Sequence, residues 1–107
     1  MYVLVVLLTL KPGTDVESFE RHYREVHVPL ACKLPGLKKY TRTLVRPPSR
    51  GPAPYYRMAQ LYFEDYDALK RAMASPESQA TLKDAGFFSH VGEMVQFIAQ
   101  EEDIPLR

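Results

Sequence analysis

Residues 2–23 read YVLVVLLTLKPGTDVESFERHY, and the two halves of this stretch change period at Pro12-Gly13. Residues 2–10 are rich in Val and Leu and predict a β-strand. No basic lead-in precedes the apolar run and no small-residue cleavage site follows it, so it does not read as a signal peptide. It also ends at Lys11, far short of the roughly 20 residues a membrane helix needs. After the turn, Thr14 and Glu17 form a capping box. Val16, Phe19, Tyr23, Val26 and Leu30 then recur at intervals of three and four, which predicts a helix with one apolar stripe.

Working outward, Pro29 removes the N–H that the Glu25 carbonyl would take, so the helix kinks or loosens near Val28. Pro35-Gly36 ends it. Residues 37–45 and 55–63 predict two further strands, with Arg57 alone charged in the second. Between them, residues 47–54 hold four prolines and form a stiff loop. Asp65 caps a helix running through Met73, with Ala68, Leu69, Ala72 and Met73 inward. Ser75-Pro76 starts a short second helix as cap and first-turn proline, and Gly86 closes it. Residues 93–101 alternate Val95, Phe97 and Ala99 with polar neighbours and make the fourth strand. The order βαββαβ over a single domain, residues 1–107, is the ferredoxin-like α+β arrangement, a four-stranded antiparallel sheet with helices on one face.

Both faces of the first strand are apolar, whereas a sheet with one wet face should alternate. A second copy of the chain, packed sheet against sheet, would cover the other face, as would a long loop. Composition narrows the classes further. Apolar residues make up 46% and charged residues 25%, an ordinary globular balance. The net charge of +1 advertises neither nucleic acid nor membrane as a partner. One cysteine, Cys32, excludes an intrachain disulfide and fits a reducing cytoplasm. Residues 31–63 carry seven basic side chains and no acid, which either draws an anionic ligand or simply solvates strand edges.

His27 is the most informative position. It borders the apolar stripe one turn after Tyr23 and sits beside the irregular backbone at Pro29, where an imidazole can exchange protons with a ligand near neutrality. The plainer alternative is a half-buried histidine satisfied by a backbone carbonyl. His22 falls on the opposite flank and is expected in solvent. His22 and His27 are five apart, Cys32 reads as a small buried hydrophobe, and His90 stands alone in a loop. No metal-ligand spacing or flavin loop is present, so neither cofactor is expected. Haem stays open, because a lone histidine such as His27 can serve as an axial ligand. Tyr23, Tyr40 and Tyr62 either orient a polar ligand or fill core, and Gln60 and Gln96 need partners if buried.

The segment FERHYREVHVPLACKLPGLKKY (19–40) resembles the EthD family in its aromatic residues, its His-x-Pro-Leu, its Pro-Gly-Leu and its strand tyrosine. AQLYFEDYDALKRAMASPESQATLKDAGFF (59–88) is similar to the strand, helix and Ser-Pro-Glu short helix of that family. Tyr62 departs from a frequent Trp, and Gly86-Phe87-Phe88 from a more polar lead-in. The resemblance implies a homodimeric α+β barrel in which His27 lines a cavity with Tyr23 and Tyr40. The family is associated with ethyl tert-butyl ether degradation beside a cytochrome P450 system and tends to be described as oxidoreductase. The wider superfamily holds cofactor-free monooxygenases, cyclases and isomerases, and haem enzymes. The expectation is a cofactor-free enzyme, or an accessory to an oxygenase, acting on an apolar, aromatic or enolisable small molecule. His27 and Tyr23 would be catalytic, and Phe19, Tyr40, Gln60 and Tyr62 would bind ligand. The alternative is a non-catalytic homodimeric binding protein serving a partner monooxygenase.

Overall fold

A computed structural model describes residues 1–106. Strand β1 (Tyr2–Leu10) leads through the Pro12-Gly13 turn into α1 (Val16–His22), a π-helical turn (Tyr23–His27) and α2 (Val28–Ala31). Strands β2 (Lys39–Leu44) and β3 (Arg57–Phe63) follow on either side of the proline-rich loop. The helices α3 (Tyr66–Met73), α4 (Pro76–Leu82) and α5 (Ala85–Phe88) then precede β4 (Val91–Gln100). The four strands form one antiparallel sheet in the order β2-β3-β1-β4. This is the α+β, ferredoxin-like arrangement that the residue pattern predicts.

Local chemistry explains the helix ends, with two corrections. Asp15, not Thr14, caps α1, accepting from the Ser18 N–H at 3.3 Å, while the Thr14 hydroxyl turns back to the Lys11 carbonyl. A carboxylate at this position also meets the positive end of the helix dipole. The second correction concerns Gly86. Helix α4 already ends at Leu82, Asp84 caps a further short helix, and Gly86 lies inside it. Asp65 and Ser75 cap α3 and α4 as expected.

Period-2 alternation divides the sheet into two faces. Leu4, Leu8, Ala59, Leu61 and Phe63 face the helices and pack with Phe19, Tyr23, Ala31, Leu34, Leu69, Ala72 and Phe87. Val3, Val5 and Tyr62 gather on the opposite face with Leu7, Met58 and Ala99. Phe97, on that same face, is 45% exposed. Among the described residues, no helix is long and apolar enough to cross a membrane.

Candidate functional site

The site begins with the π turn. Pro29 offers no N–H to the Glu25 carbonyl, and just upstream the Val28 N–H bonds the Tyr23 carbonyl, five residues back. The predicted loosening is therefore real but lies one turn earlier than Val28. A turn wider than the usual roughly 3.6 residues brings His27 over Tyr23, their ring centroids 5.6 Å apart. The same widening turns Val26 out to solvent, 41% exposed, and Val16 also leaves the expected stripe. His27 is buried in their stead.

His27 Nδ1 lies 3.1 Å from Asp84 Oδ2, and His22 Nε2 lies 2.7 Å from Asp84 Oδ1. An ionised carboxylate only accepts, so each of these ring nitrogens carries the proton and donates it. His22 is thus a partner of Asp84, not a solvated side chain. Burial pushes the Asp84 carboxyl up, but the bonds from His22 and His27 outweigh it and hold the group below its ordinary value. Burial lowers His27 below its ordinary value; Asp84 opposes this without reversing it, and His22 adds to the lowering. The result is a neutral imidazole protonated at Nδ1. Its Nε2 bonds no protein group among the described residues and keeps a free lone pair.

The imidazole closes one wall of a cavity of about 90 Å³ between the helices and the sheet. Leu4, Val6, Leu61, Leu34, Met73, Phe88 and Met94 make it mainly apolar, while Tyr23, Tyr40, Ser78, Thr81 and Gln96 supply polar groups. Leu82, 62% exposed, and the exposed Gln96 mark its solvent side, between α4 and β4. Tyr23 and Tyr40 interact through their hydroxyls, and burial pushes both phenols up, so both remain O–H donors at neutral pH.

Beneath Tyr23 lies a charged hub that the residue pattern did not disclose. Glu20 accepts from Arg42 at 2.6 Å, from Arg57 at 2.8 and 3.1 Å, and from the Tyr56 hydroxyl. Burial pushes Glu20 up, yet its donors Arg57, Tyr56 and Arg42 hold the carboxyl down at about 2. The Arg42 guanidinium sits 3.9 Å from the centre of the Tyr23 ring, a cation–π contact that fixes the phenol from behind. Two of the seven basic residues in 31–63 are therefore bound internally.

The structure brings His27, Tyr23 and Tyr40 together. Phe19 is fully buried behind them, edge-on to Tyr23, as core. Gln60 and Tyr62 point to the opposite face of the sheet, because β3 turns Ala59 and Leu61 toward the cavity. Cys32 is exposed rather than buried. His90 is exposed and meets Phe19 edge-on. Asp84 escaped sequence reasoning because a helix running to Gly86 absorbs it; the signal was an Asp at a helix N-cap before Ala-Gly-Phe-Phe. Among the described residues, no cluster of His, Cys, Asp or Glu is arranged to hold a metal ion.

Comparison with known proteins fits this geometry. Residues 11–92 match the model of the EthD domain. An 11.0 kDa protein from the thcB–thcC intergenic region of Rhodococcus erythropolis is 33% identical over 100 residues, covering 94% of this chain and 97% of that protein. The crystal structure of an ethyl tert-butyl ether degradation (EthD) family protein from Bacillus halodurans superposes with a TM-score of 0.78 at 31% identity, over 95% of this chain and all of that one. Two others share the fold at 17% identity. One is a dimeric ferredoxin-like protein from Bacteroides fragilis (TM-score 0.67, covering 94% and 95% of the two chains). The other is SnoaB, a cofactor-independent oxygenase from Streptomyces nogalater (TM-score 0.66, covering 96% and 94%). By the domain match and by its two relatives above 30% identity, the chain belongs to the EthD family.

Proposed function

We propose that the protein is a homodimeric small-molecule-handling enzyme that performs cofactor-free acid–base chemistry on a compact apolar or aromatic molecule bearing an enolisable or phenolic group. The observation that carries this reading is the free Nε2 of a neutral His27 in an apolar cavity that also holds two protonated phenols. His27 Nε2 takes a proton from the substrate C–H or O–H, and the electron pair left behind moves onto oxygen. Tyr23 and Tyr40 give up the hydrogen bond between their hydroxyls and donate to that oxyanion, while Asp84 steadies the imidazolium that has formed. In the reverse step the imidazolium returns the proton to the same or another carbon. Deprotonation is also a step that would precede reaction with oxygen, and the Streptomyces oxygenase shows that the fold accommodates chemistry without a cofactor.

The homodimer is supported by the apolar face built from Val3, Val5 and Tyr62 and by the dimeric Bacteroides relative of the fold. The test of function is solvent deuterium exchange into a panel of ketones and phenols, followed by NMR, with wild type beside His27→Gln. Exchange that falls about a hundredfold in the variant supports the enzyme. Exchange equal in both retires it. Binding that depends on His27 without any exchange assigns instead the carrier role, serving a separate oxygenase.

A further inference from the structure

Three residues at the start of α5 hold two histidines. Asp84 accepts from both rings. Phe87 stacks on His27. Gly86 lies under His22: a Cβ at this position would stand 2.5 Å from His22 Cε1 and 2.8 Å from Nε2, closer than real side chains approach. The His22 ring is therefore seated on a bare glycine Cα, and that seat aims its Nε2 at the carboxylate. The Asp84 carboxylate is 6% exposed, and the His22 side chain 30%. One nearly buried negative charge is thus divided between an imidazole on the solvent side and one in the cavity.

We infer that His22 is a positioning residue that acts through Asp84 to keep the cavity imidazole neutral and its Nε2 free. This rests on the reading of His27 as the base. A buried Asp serving His27 alone would favour the imidazolium, and a protonated Nε2 cannot accept a proton. The second donor from His22 draws off part of the carboxylate's field, and any charge on His22 itself repels a proton from His27. The groups facing His27 are Asp84 and Phe87 at α5, Phe88 beyond them, and Tyr23 and His22 on its own helix. Asp84 and His22 are the pair among these whose charge acts on it.

The test is a histidine titration followed by nitrogen-15 NMR of the ligand-free protein. His22→Leu removes the donor and should raise the His27 midpoint by half a pH unit or more. His22→Gln keeps an N–H donor for Asp84 and should return the midpoint most of the way to wild type. Gly86→Ala keeps both histidines but displaces the His22 ring, and should shift His27 in the same direction as His22→Leu. Asp84→Asn should instead lower the midpoint and mix the tautomers. An unchanged or lowered His27 midpoint in both His22→Leu and Gly86→Ala overturns the inference. If His22→Leu does not fold, Gly86→Ala and His22→Gln decide it. Because no substrate is involved, the result stands apart from the exchange assay: a shifted midpoint without His27-dependent exchange would leave the array intact and sink the enzyme.

Discussion

The rings of His27 and Phe87 lie stacked, with centroids 3.8 Å apart and planes within 14° of parallel. The imidazole is therefore a packed member of the core as well as part of the cavity wall. A spacing-based view would let His27 vanish with little effect on the fold. The stack says otherwise.

His27→Ala should cost about 1–3 kcal/mol of stability, since Phe87 loses its stacking partner and Asp84 one of its donors. Turnover should fall tenfold or more. His27→Gln restores a donor for Asp84 but no ring for Phe87, so it should recover only part of the stability and none of the turnover. Thermal denaturation beside the exchange assay separates packing from chemistry, and wild-type stability in His27→Gln would contradict the stacking account.

Stability should decline with acid in two stages. The His27 value lies below its ordinary 6.5 in the fold, so its contribution is complete above that pH and erodes as pH falls beneath it. Glu20 drops from an ordinary 4.5 to about 2, so its contribution is complete above pH 4.5 and is lost toward pH 2. Asp84 acts in the same sense below 3.8. Urea unfolding at stepped pH measures this. Glu20→Gln should flatten the second stage and cost about 2 kcal/mol at neutral pH, because Arg42 and Arg57 lose their anionic partner and one of its two acceptor oxygens.

Tyr40→Phe and Tyr23→Phe each remove one oxyanion donor. Each should lower turnover of an enolisable substrate by about a hundredfold while leaving affinity for a purely apolar ligand nearly unchanged. Tyr23→Phe should keep the cation–π part of the Arg42 contact, which uses the ring, and lose the guanidinium's interaction with the hydroxyl. Competition binding with matched phenolic and hydrocarbon ligands reads the difference; equal losses for both would show that the phenols only pack.

Light scattering at micromolar concentration should give a mass near twice 12.3 kDa. Val5 faces away from the helices with Val3 and Tyr62, so Val5→Asp should yield monomer or unfolded chain, as an unpaired charge on a covered apolar face costs several kcal/mol. A monomeric wild type would contradict the pairing of sheets.

The strands and the element order were legible because Val- and Leu-rich runs bounded by turn residues, such as residues 2–10, leave few alternatives once the intervening helices are placed. His27, Tyr23 and Tyr40 were legible too, His27 as a histidine bordering an apolar stripe. What stayed hidden depended on contacts between distant parts of the chain. Asp84 meets His22 and His27 more than fifty residues away in sequence, and Glu20 finds Arg42 and Arg57 only after the sheet has formed. Gln60 and Tyr62 were misplaced for a different reason. Both are flanked by apolar neighbours in a strand buried on two faces, so alternation does not say which side looks at the helices.

The single wide turn at Tyr23–His27 has an evolutionary consequence. The phase of the helix on either side of it differs by one residue, so deleting one position among Arg24–Val26 would restore a regular helix and return His27 to a different bearing. The strands would survive such a deletion, but Tyr23, His27 and Ala31 pack into the core from the turn and its flank, so their packing would have to be rebuilt. One codon thus sets the bearing of the cavity imidazole, and changing it carries a cost in packing around Phe87. The length of the segment between the helix aromatic and the His-x-Pro-Leu is the mark by which chains with and without the wide turn can be sorted.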